Sequence, residues 1–199
     1  MAEISVGKRA PQFSLKDFRG HSHPVAKEKG KYIVLYFYPK DDTPGCTVEA
    51  IQFSEHISAF KRRQVHVYGI SGGDAKSKEK FCQKHDLKIP LLSDSDFAVS
   101  KKYDAYGKKS FMGRAYIGIL RKTFVLDPHF RVLKIFDSVK PEGHADEVLE
   151  AIDALEAENV VHQPKHPNKT TRREVPRAKR RKAEQRSRDA QRGEPRKRK

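Results

Sequence analysis

This 199-residue chain has no tryptophan, only two cysteines and no uninterrupted apolar run longer than the seven residues of Tyr32–Tyr38. Seven apolar residues are far fewer than the ~20 that a helix needs to cross a bilayer, so no membrane partner is expected. Two cysteines cannot build a disulfide framework, and without suitably spaced histidines they predict no structural zinc site. The N-terminal residues MAEISVGKRA do not resemble a signal peptide. We therefore expect a reducing, cytoplasmic compartment.

The net charge of +16 is concentrated at one end of the chain. From His162 to Lys199 there are 16 Lys and Arg against four Asp and Glu, a net charge of +12 in 38 residues. This segment has no aromatic residue, and its apolar residues are Val175 and three alanines. It cannot bury enough apolar surface to offset the entropy lost on ordering. The composition predicts a folded domain over residues 1–161 and a disordered basic tail over residues 162–199.

Strand and helix patterns alternate along residues 1–161, which predicts an α/β fold with a mixed central sheet flanked by helices. Tyr32–Tyr38 is apolar on both faces and predicts a buried central strand, which Pro39 ends. Asp74 is expected to cap a helix with residues 76–80 on its solvent side. The predicted strands are 12–15, 24–26, 32–38, 65–70, 90–92, 123–126 and 132–136, and the predicted helices are 47–62, 74–85, 97–103 and 143–158.

Cys46 stands where the central strand leads into the next helix, in the stretch PKDDTPGCTVEA. Backbone N–H groups in the first turn of a helix lack internal partners and form the positive end of the helix dipole, so this position favours a thiolate. Thr43 lies three residues earlier, and its hydroxyl can both accept and donate a hydrogen bond. A hydroxyl with both capacities suits a group that holds the two oxygens of a small substrate. Position alone explains Cys46 equally well as a small buried apolar residue.

The same stretch resembles the peroxidatic motif of peroxiredoxins, Pro-x-x-x-Thr-x-x-Cys, in the form typical of the bacterioferritin comigratory protein, or Q-type, subfamily. Two later segments, GISGGDAKSKEKFCQKHDLKIPLLSD and the stretch from Arg114 through GILRKTFVLD, resemble that subfamily in the same order. The resemblance spans residues 6–155 and leaves the tail uncovered. It implies a thioredoxin-like fold and a thiol-dependent peroxidase that reduces hydrogen peroxide and organic hydroperoxides through a cysteine sulfenic acid. It also implies recycling by thioredoxin or a similar thiol donor, a monomer, and neither cofactor nor metal.

Individual residues take roles from this resemblance. Cys46 matches the peroxidatic cysteine, Thr43 the active-site threonine, and Pro39 the proline that shields the pocket. Arg121 matches the active-site arginine, although the residues alone favour a solvated charge at the start of a strand. Glu49 matches a carboxylate one helical turn after the cysteine, and its alternative explanation is a simple partner of the helix dipole.

The chain departs from the subfamily at its second cysteine. Many members carry that cysteine five positions after the first, where this chain has Ile51. Some relatives carry a resolving cysteine in the helix predicted here over residues 74–85, so Cys82, 36 residues after Cys46, is the natural candidate. The alternative is that Cys82 is a packing residue beside Phe81 and that an external thiol attacks the sulfenic acid.

Two other functions compete with the peroxidase. A dithiol oxidoreductase on the same scaffold needs Cys-x-x-Cys, but this chain has glutamate at position 49. A nucleic-acid-binding protein is supported by the basic clusters Lys179–Lys182 and Arg196–Lys199 of the tail. The tail offers no aromatic residue for base stacking, so we expect non-specific nucleic-acid binding as an additional property. In a nucleated cell the same clusters are also a candidate nuclear address.

Overall fold

The computed structural model describes residues 4–25, 32–111 and 114–162. Its strands are β1 (Ser14–Asp17), β2 (Ser22–Pro24), β3 (Tyr32–Phe37), β4 (Val65–Ser71), β5 (Leu91–Ser93), β6 (Tyr106–Phe111), β7 (Arg114–Ile119), β8 (Lys122–Leu126) and β9 (Val132–Phe136). Its helices are α1 (Pro44–Glu55), α2 (Ile57–Arg62), α3 (Ala75–Lys84), α4 (Ala98–Lys102) and α5 (His144–His162). Within these ranges no helix combines the length and apolarity that crossing a membrane requires. Except for His162, the predicted tail lies outside the described residues.

Seven of the strands form one mixed sheet in the order β2-β1-β5-β4-β3-β8-β9. β3 lies inside it, parallel to β4 and antiparallel to β8. Its side chains alternate between two buried clusters: Val34 and Tyr36 pack with α1, α2, α3 and α5, whereas Ile33 and Leu35 pack with α4 on the opposite face. Both faces of the sheet are therefore covered, which confirms the predicted α/β class and the buried central strand.

Most predicted elements are confirmed, but two differ from the sequence analysis. The helix predicted over residues 47–62 begins earlier, at Pro44, and is interrupted at His56, which separates α1 from α2. The β6–β7 hairpin was missed altogether. This two-stranded ribbon stands apart from the main sheet, and Tyr116 and Ile117 on it are exposed. Because neither face of the ribbon is fully buried, its sequence lacks the apolar alternation that reveals a strand.

The sheet brings three distant segments to one edge. β3 and β4 are parallel, so their carboxyl ends lie together, and the loop before α1 meets the start of α3 there. β8 runs antiparallel to β3, with Lys122 paired to Phe37, so β8 begins at the same edge. Arg121, directly before β8, thereby reaches the beginning of α1 although the two segments are far apart in sequence.

Candidate active site

Cys46 occupies the third position of α1. The helix begins at Pro44, directly after Thr43, whose extended backbone (φ −98°, ψ 152°) ends the loop. Proline suits this first position because its fixed φ is already helical and its missing N–H would have no partner there. The first bond of the helix joins the Thr47 N–H to the Thr43 carbonyl at 2.8 Å. The N–H groups of Gly45 and Cys46 therefore have no acceptor within the helix.

Thr43 and Pro39 lie in the loop before α1, and both are half-buried. The Thr43 hydroxyl does not cap the helix, and it donates to the Lys40 carbonyl at 3.1 Å. This bond uses the only hydrogen of the hydroxyl and leaves its oxygen able to accept one. Pro39 directly follows the fully buried Tyr38 at the end of the central strand.

Arg121 joins the sulfur to a buried carboxylate. Its Nη2 donates to Sγ of Cys46 at 3.3 Å, and its Nη1 donates to Oε2 of Glu49. Cys46 is 1% exposed and Glu49 is fully buried. A guanidinium is always protonated in proteins, so a permanent positive charge lies against the sulfur. The three residues form one contact chain, and that arrangement stabilises negative charge on Cys46.

Burial has the largest influence on Glu49. It raises the pKa of Glu49 to about 7, in spite of the opposing effect of the Arg121 guanidinium. The second carboxyl oxygen, Oε1, has no hydrogen-bond partner among the residues that the structure describes. Burial also works against the charge of Arg121, but Glu49 and Cys46 outweigh it and raise the pKa of Arg121. Arg121 therefore stays charged, whereas Glu49 takes up a proton near neutral pH.

Pro141, in the segment before α5, packs against the start of α1. A Cβ added to Gly45 would lie 3.0 Å from Cγ of Pro141 and 3.5 Å from Nη2 of Arg121. Gly45 therefore lets the helix start approach both neighbours closely. No local sequence signal connects Pro141 to a helix that begins almost a hundred residues earlier, so this contact is not predictable from the sequence.

A second polar cluster begins in the same loop and is also buried. Asp41 accepts hydrogen bonds from the Tyr38 hydroxyl at 2.6 Å and from the Ser77 hydroxyl at 2.7 Å. Nζ of Lys78 donates to Oδ1 of Asp41 at 3.2 Å and to the Ser71 hydroxyl at 2.7 Å. The side chains of Lys78 and Asp41 are 0% and 3% exposed. The prediction that residues 76–80 form the solvent side of the helix was therefore wrong at Lys78. The ammonium of Lys78 is buried because folding brings Asp41, from a distant segment, into contact with it.

Cys82 lies on α3, one turn after Lys78. Both cysteines are free and belong to one buried cluster that also contains Tyr36. Burial raises the pKa of Cys82 to about 11, and the Lys78 ammonium offsets this only in part. In this conformation Cys82 is thus a neutral thiol within a helix. The structure brings Cys46, Glu49 and Arg121 into contact and leaves Cys82 outside that contact chain.

Several histidines lie against carboxylates. His21 and His23 share Oδ2 of Asp17, at 3.4 and 3.1 Å. Nε2 of His85, at the end of α3, lies 2.7 Å from Oδ1 of Asp42. Across residues 4–25, 32–111 and 114–162, no group of three or more His, Cys, Asp and Glu side chains is arranged to hold a metal ion.

Comparison with known sequences gives consistent relatives. The model of the AhpC/TSA family matches residues 6–135. A putative peroxiredoxin bcp from Helicobacter pylori is 41% identical over 152 residues, which cover 76% of this chain and 100% of the relative. Peroxiredoxin Bcp from Bacillus subtilis is 38% identical over 149 residues, which cover 75% of this chain and 95% of the relative.

Comparison with solved structures finds relatives from the same group of proteins. A PrxQ from Xylella fastidiosa, solved as a cysteine-to-serine variant, superposes with a TM-score of 0.74 and 31% identity over 78% of this chain and 99% of its own. The bacterioferritin comigratory protein of Xanthomonas campestris, studied for its alkyl peroxide reduction activity, gives a TM-score of 0.68 and 35% identity. That match covers 72% of this chain and 91% of the other. The thioredoxin-like fold expected from the resemblance is confirmed.

The raised pKa of Glu49 predicts how stability depends on pH. Its ordinary value is 4.5, so the folded protein binds this proton more tightly than the unfolded chain does. The free energy of unfolding should therefore fall, through Glu49, as the pH rises from about 4.5 to about 7, by on the order of 1–3 kcal/mol. Urea unfolding of wild type and Glu49→Gln at several pH values measures this, because other titrating groups cancel in the difference. Parallel pH profiles for the two proteins would contradict the prediction.

Proposed function

Because the chain belongs to the AhpC/TSA family and is a thiol-dependent peroxidase, we propose that Cys46 is its peroxidatic cysteine, with Arg121, Glu49, Thr43 and Pro39 completing the active site. One observation carries the proposal: a single guanidinium donates to both the Cys46 sulfur and the Glu49 carboxylate. A sulfur at the start of a helix, with a permanent cation against it, is set up as a nucleophile.

In the first half of the reaction the Cys46 thiolate attacks the terminal oxygen of a hydroperoxide. A sulfur–oxygen bond forms while the oxygen–oxygen bond breaks, and the leaving oxygen takes up a proton to become water or an alcohol. Arg121 and the first-turn N–H groups stabilise negative charge as it moves from the sulfur to the leaving oxygen. Thr43 accepts a hydrogen bond from the hydroperoxide, since its own hydrogen is bound to the Lys40 carbonyl. Cys46 becomes a sulfenic acid, the reversible first stage of thiol oxidation.

Glu49 and Pro39 support the reaction without contacting the hydroperoxide: Glu49 positions Arg121, and Pro39 shields the pocket. Glu49 holds Nη1 of Arg121, which leaves Nη2 aimed at Cys46. Pro39 follows the buried strand and limits the access of water to the site. The substrates are hydrogen peroxide and organic hydroperoxides, and the studied alkyl peroxide reduction of the Xanthomonas campestris relative supports the organic class.

Cys82 is the resolving cysteine in this proposal. Its thiolate attacks the sulfur of the Cys46 sulfenic acid, a disulfide forms, and the hydroxide released takes up a proton to become water. Thioredoxin or a similar dithiol donor then reduces the disulfide. Because burial raises the pKa of Cys82 to about 11 and each cysteine sits within a helix, the attack requires local unfolding. If Cys82 has a packing role only, an external thiol reduces the sulfenic acid.

The basic tail supplies a second, separable property. We assign residues 1–161 to a monomeric cytoplasmic peroxidase domain and residues 162–199, nearly all outside the described residues, to a basic anchor for polyanions. The charge of +12 in 38 residues supports this assignment. Contacts of Lys and Arg with phosphates carry little sequence information and weaken steeply as salt is added.

Substitution of Cys46 and Arg121 tests the active-site assignment. Cys46→Ser should lose all but a few per cent of thioredoxin-coupled hydroperoxide turnover, because a serine hydroxyl is neither ionised nor a soft nucleophile at pH 7. Arg121→Lys should lower kcat/KM on the order of 10²-fold, since an ammonium cannot contact the sulfur and Glu49 with a planar fork. Arg63→Lys, at an exposed pair with Asp153, is the matched control and should retain activity. Substantial turnover by Cys46→Ser would exclude this cysteine as the nucleophile.

Peptide mapping tests the resolving role of Cys82. After one equivalent of hydroperoxide, the wild-type chain should contain a Cys46–Cys82 disulfide within one molecule. Cys82→Ser should instead accumulate the Cys46 sulfenic acid, which a dimedone probe labels. Sulfenic acid alone in the wild type, or a dimer linked through Cys46, would favour reduction by an external thiol.

Truncation tests the tail. A chain ending at Val161 should keep its peroxidase activity and lose retention on DNA or RNA at low salt, because 16 basic residues are removed and the active site is not. Retention is measured by filter binding over a salt series. Unchanged retention, or loss of peroxidase activity on truncation, would show that the tail is not a separable anchor.

A further inference from the structure

The loop that leads to Cys46 is fastened to α3 by two neighbouring carboxylates. Asp41, on the inside, is held by Lys78 near the beginning of the helix. Asp42 is more exposed; its Oδ2 accepts from Nζ of Lys84 at 2.7 Å, and its Oδ1 lies 2.7 Å from Nε2 of His85. Cys82 lies between these two attachment points along α3. The loop before Cys46 is thus bound to α3 at two places, one before Cys82 and one after it.

The inner attachment satisfies every donor of the Lys78 ammonium. Its three hydrogens go to Oδ1 of Asp41 at 3.2 Å, to the Ser71 hydroxyl at 2.7 Å and to the Tyr38 hydroxyl at 3.1 Å. Asp41 also accepts from Ser71 at 3.2 Å, in addition to the Tyr38 and Ser77 hydroxyls. Burial opposes the charge of Asp41, yet Lys78 and the hydroxyls outweigh it and lower the pKa of Asp41. A buried pair of this kind is costly to break, because each ion is left without its partner.

The surrounding backbone is shaped to hold Asp41. A Cβ at Gly73 would overlap Oδ2 of Asp41, so only glycine leaves room for the carboxylate there. The first turn of α3 is held twice at Ser77: its N–H is bound by the Asp74 cap at 2.8 Å, and its hydroxyl donates to Asp41. Unwinding the beginning of α3 must therefore separate the helix from the loop that leads to Cys46.

We propose that Asp41 and Lys78, assisted by Asp42 with Lys84 and His85, form a clip that keeps α3 folded, and that opening of this clip limits the rate at which Cys82 reaches oxidised Cys46. This inference rests on the proposed resolving role of Cys82. Asp41 and Lys78 contact neither sulfur through a hydrogen bond, so they are positioning residues for the second half of the cycle.

The clip has a chemical consequence. While α3 stays folded, the Cys46 sulfenic acid remains in its pocket, where a second hydroperoxide molecule competes with Cys82 for it. That second reaction transfers one oxygen to the sulfur, gives a sulfinic acid and releases water or an alcohol, and it is not readily reversed. The strength of the clip therefore sets the ratio of disulfide to sulfinic acid.

Lys78→Met tests the clip, because methionine keeps an unbranched stem in the same space and removes the ammonium. After a stoichiometric pulse of hydroperoxide, the step from sulfenic acid to disulfide is followed by alkylation quench and peptide mapping. We expect this step to be at least tenfold faster in Lys78→Met, and less sulfinic acid to form in excess hydroperoxide. Ser77→Ala, which removes one hydrogen bond to Asp41, is the milder variant and should accelerate the step two- to fivefold. Arg63→Gln breaks an ion pair between the residue that follows α2 and Asp153 of α5, and it is the matched control, with no change expected.

Hydrogen exchange of the reduced protein tests the clip without any sulfur chemistry. Amides of α3 should exchange at least tenfold faster in Lys78→Met than in wild type, while those of α5 over residues 148–155 keep their wild-type rates. A wild-type chain that forms no Cys46–Cys82 disulfide would overturn the resolving role and, with it, the part of the clip in catalysis. If the disulfide forms as fast in wild type as in Lys78→Met and Ser77→Ala, the clip is overturned and the resolving role of Cys82 stands.

Discussion

The burial of the Cys46 sulfur against a permanent cation is the constraint on which the rest of this structure depends. Cys46 is almost completely inaccessible, and a thiolate there has no water to solvate it. The Arg121 guanidinium supplies the compensating charge at 3.3 Å, and it is held in turn by the fully buried Glu49. Removing the guanidinium would leave two buried acidic groups without a cation. Much of the architecture around the site serves to bring this one side chain to the start of α1.

The topology of the sheet places Arg121 at the start of α1. The antiparallel pairing of β8 with β3 places the residue before β8 beside the loop after β3, and the parallel pairing of β3 with β4 brings α3 to the same edge. The two cysteines then share one buried cluster but meet different neighbours. Cys46 lies at a helix start beside a guanidinium, whereas Cys82 lies in the last turn of α3, where burial raises its pKa to about 11. The same type of side chain therefore meets a cation at one position and only burial within a helix at the other, which is the difference on which the proposed division of roles rests.

The stability of α3 and its proposed opening make opposite demands on the contacts of this helix. A helix that opened freely would expose an apolar cluster, while a helix that never opened would prevent the proposed attack of Cys82 on Cys46. The contacts of Asp41 and Lys78 are polar and fully satisfied in the folded state, and water can satisfy the same groups once they separate. A polar attachment therefore suits the proposed opening of α3 better than additional apolar packing would.

The sequence by itself determined the α/β class, the buried strand Tyr32–Tyr38 and the place of Cys46 at the beginning of a helix. These follow from apolar periodicity, from proline positions and from local spacing, all of which act over a few residues. The resemblance of GILRKTFVLD to a later segment of the same subfamily also pointed to Arg121, which the residues alone favoured as a solvated charge.

Only the tertiary structure decided which charges are buried and what they contact. Arg121 meets Cys46 and Glu49 across 75 and 72 residues of sequence, and Lys78, in a stretch that is typical of a solvated helix face, is buried because Asp41 approaches it from another segment. Pro141 against Gly45 and the exposed β6–β7 ribbon were equally invisible. The physical reason is the same throughout. Periodicity reports the side of an element that is apolar, whereas the partner of a buried polar group depends on how strands pair and helices pack far along the chain.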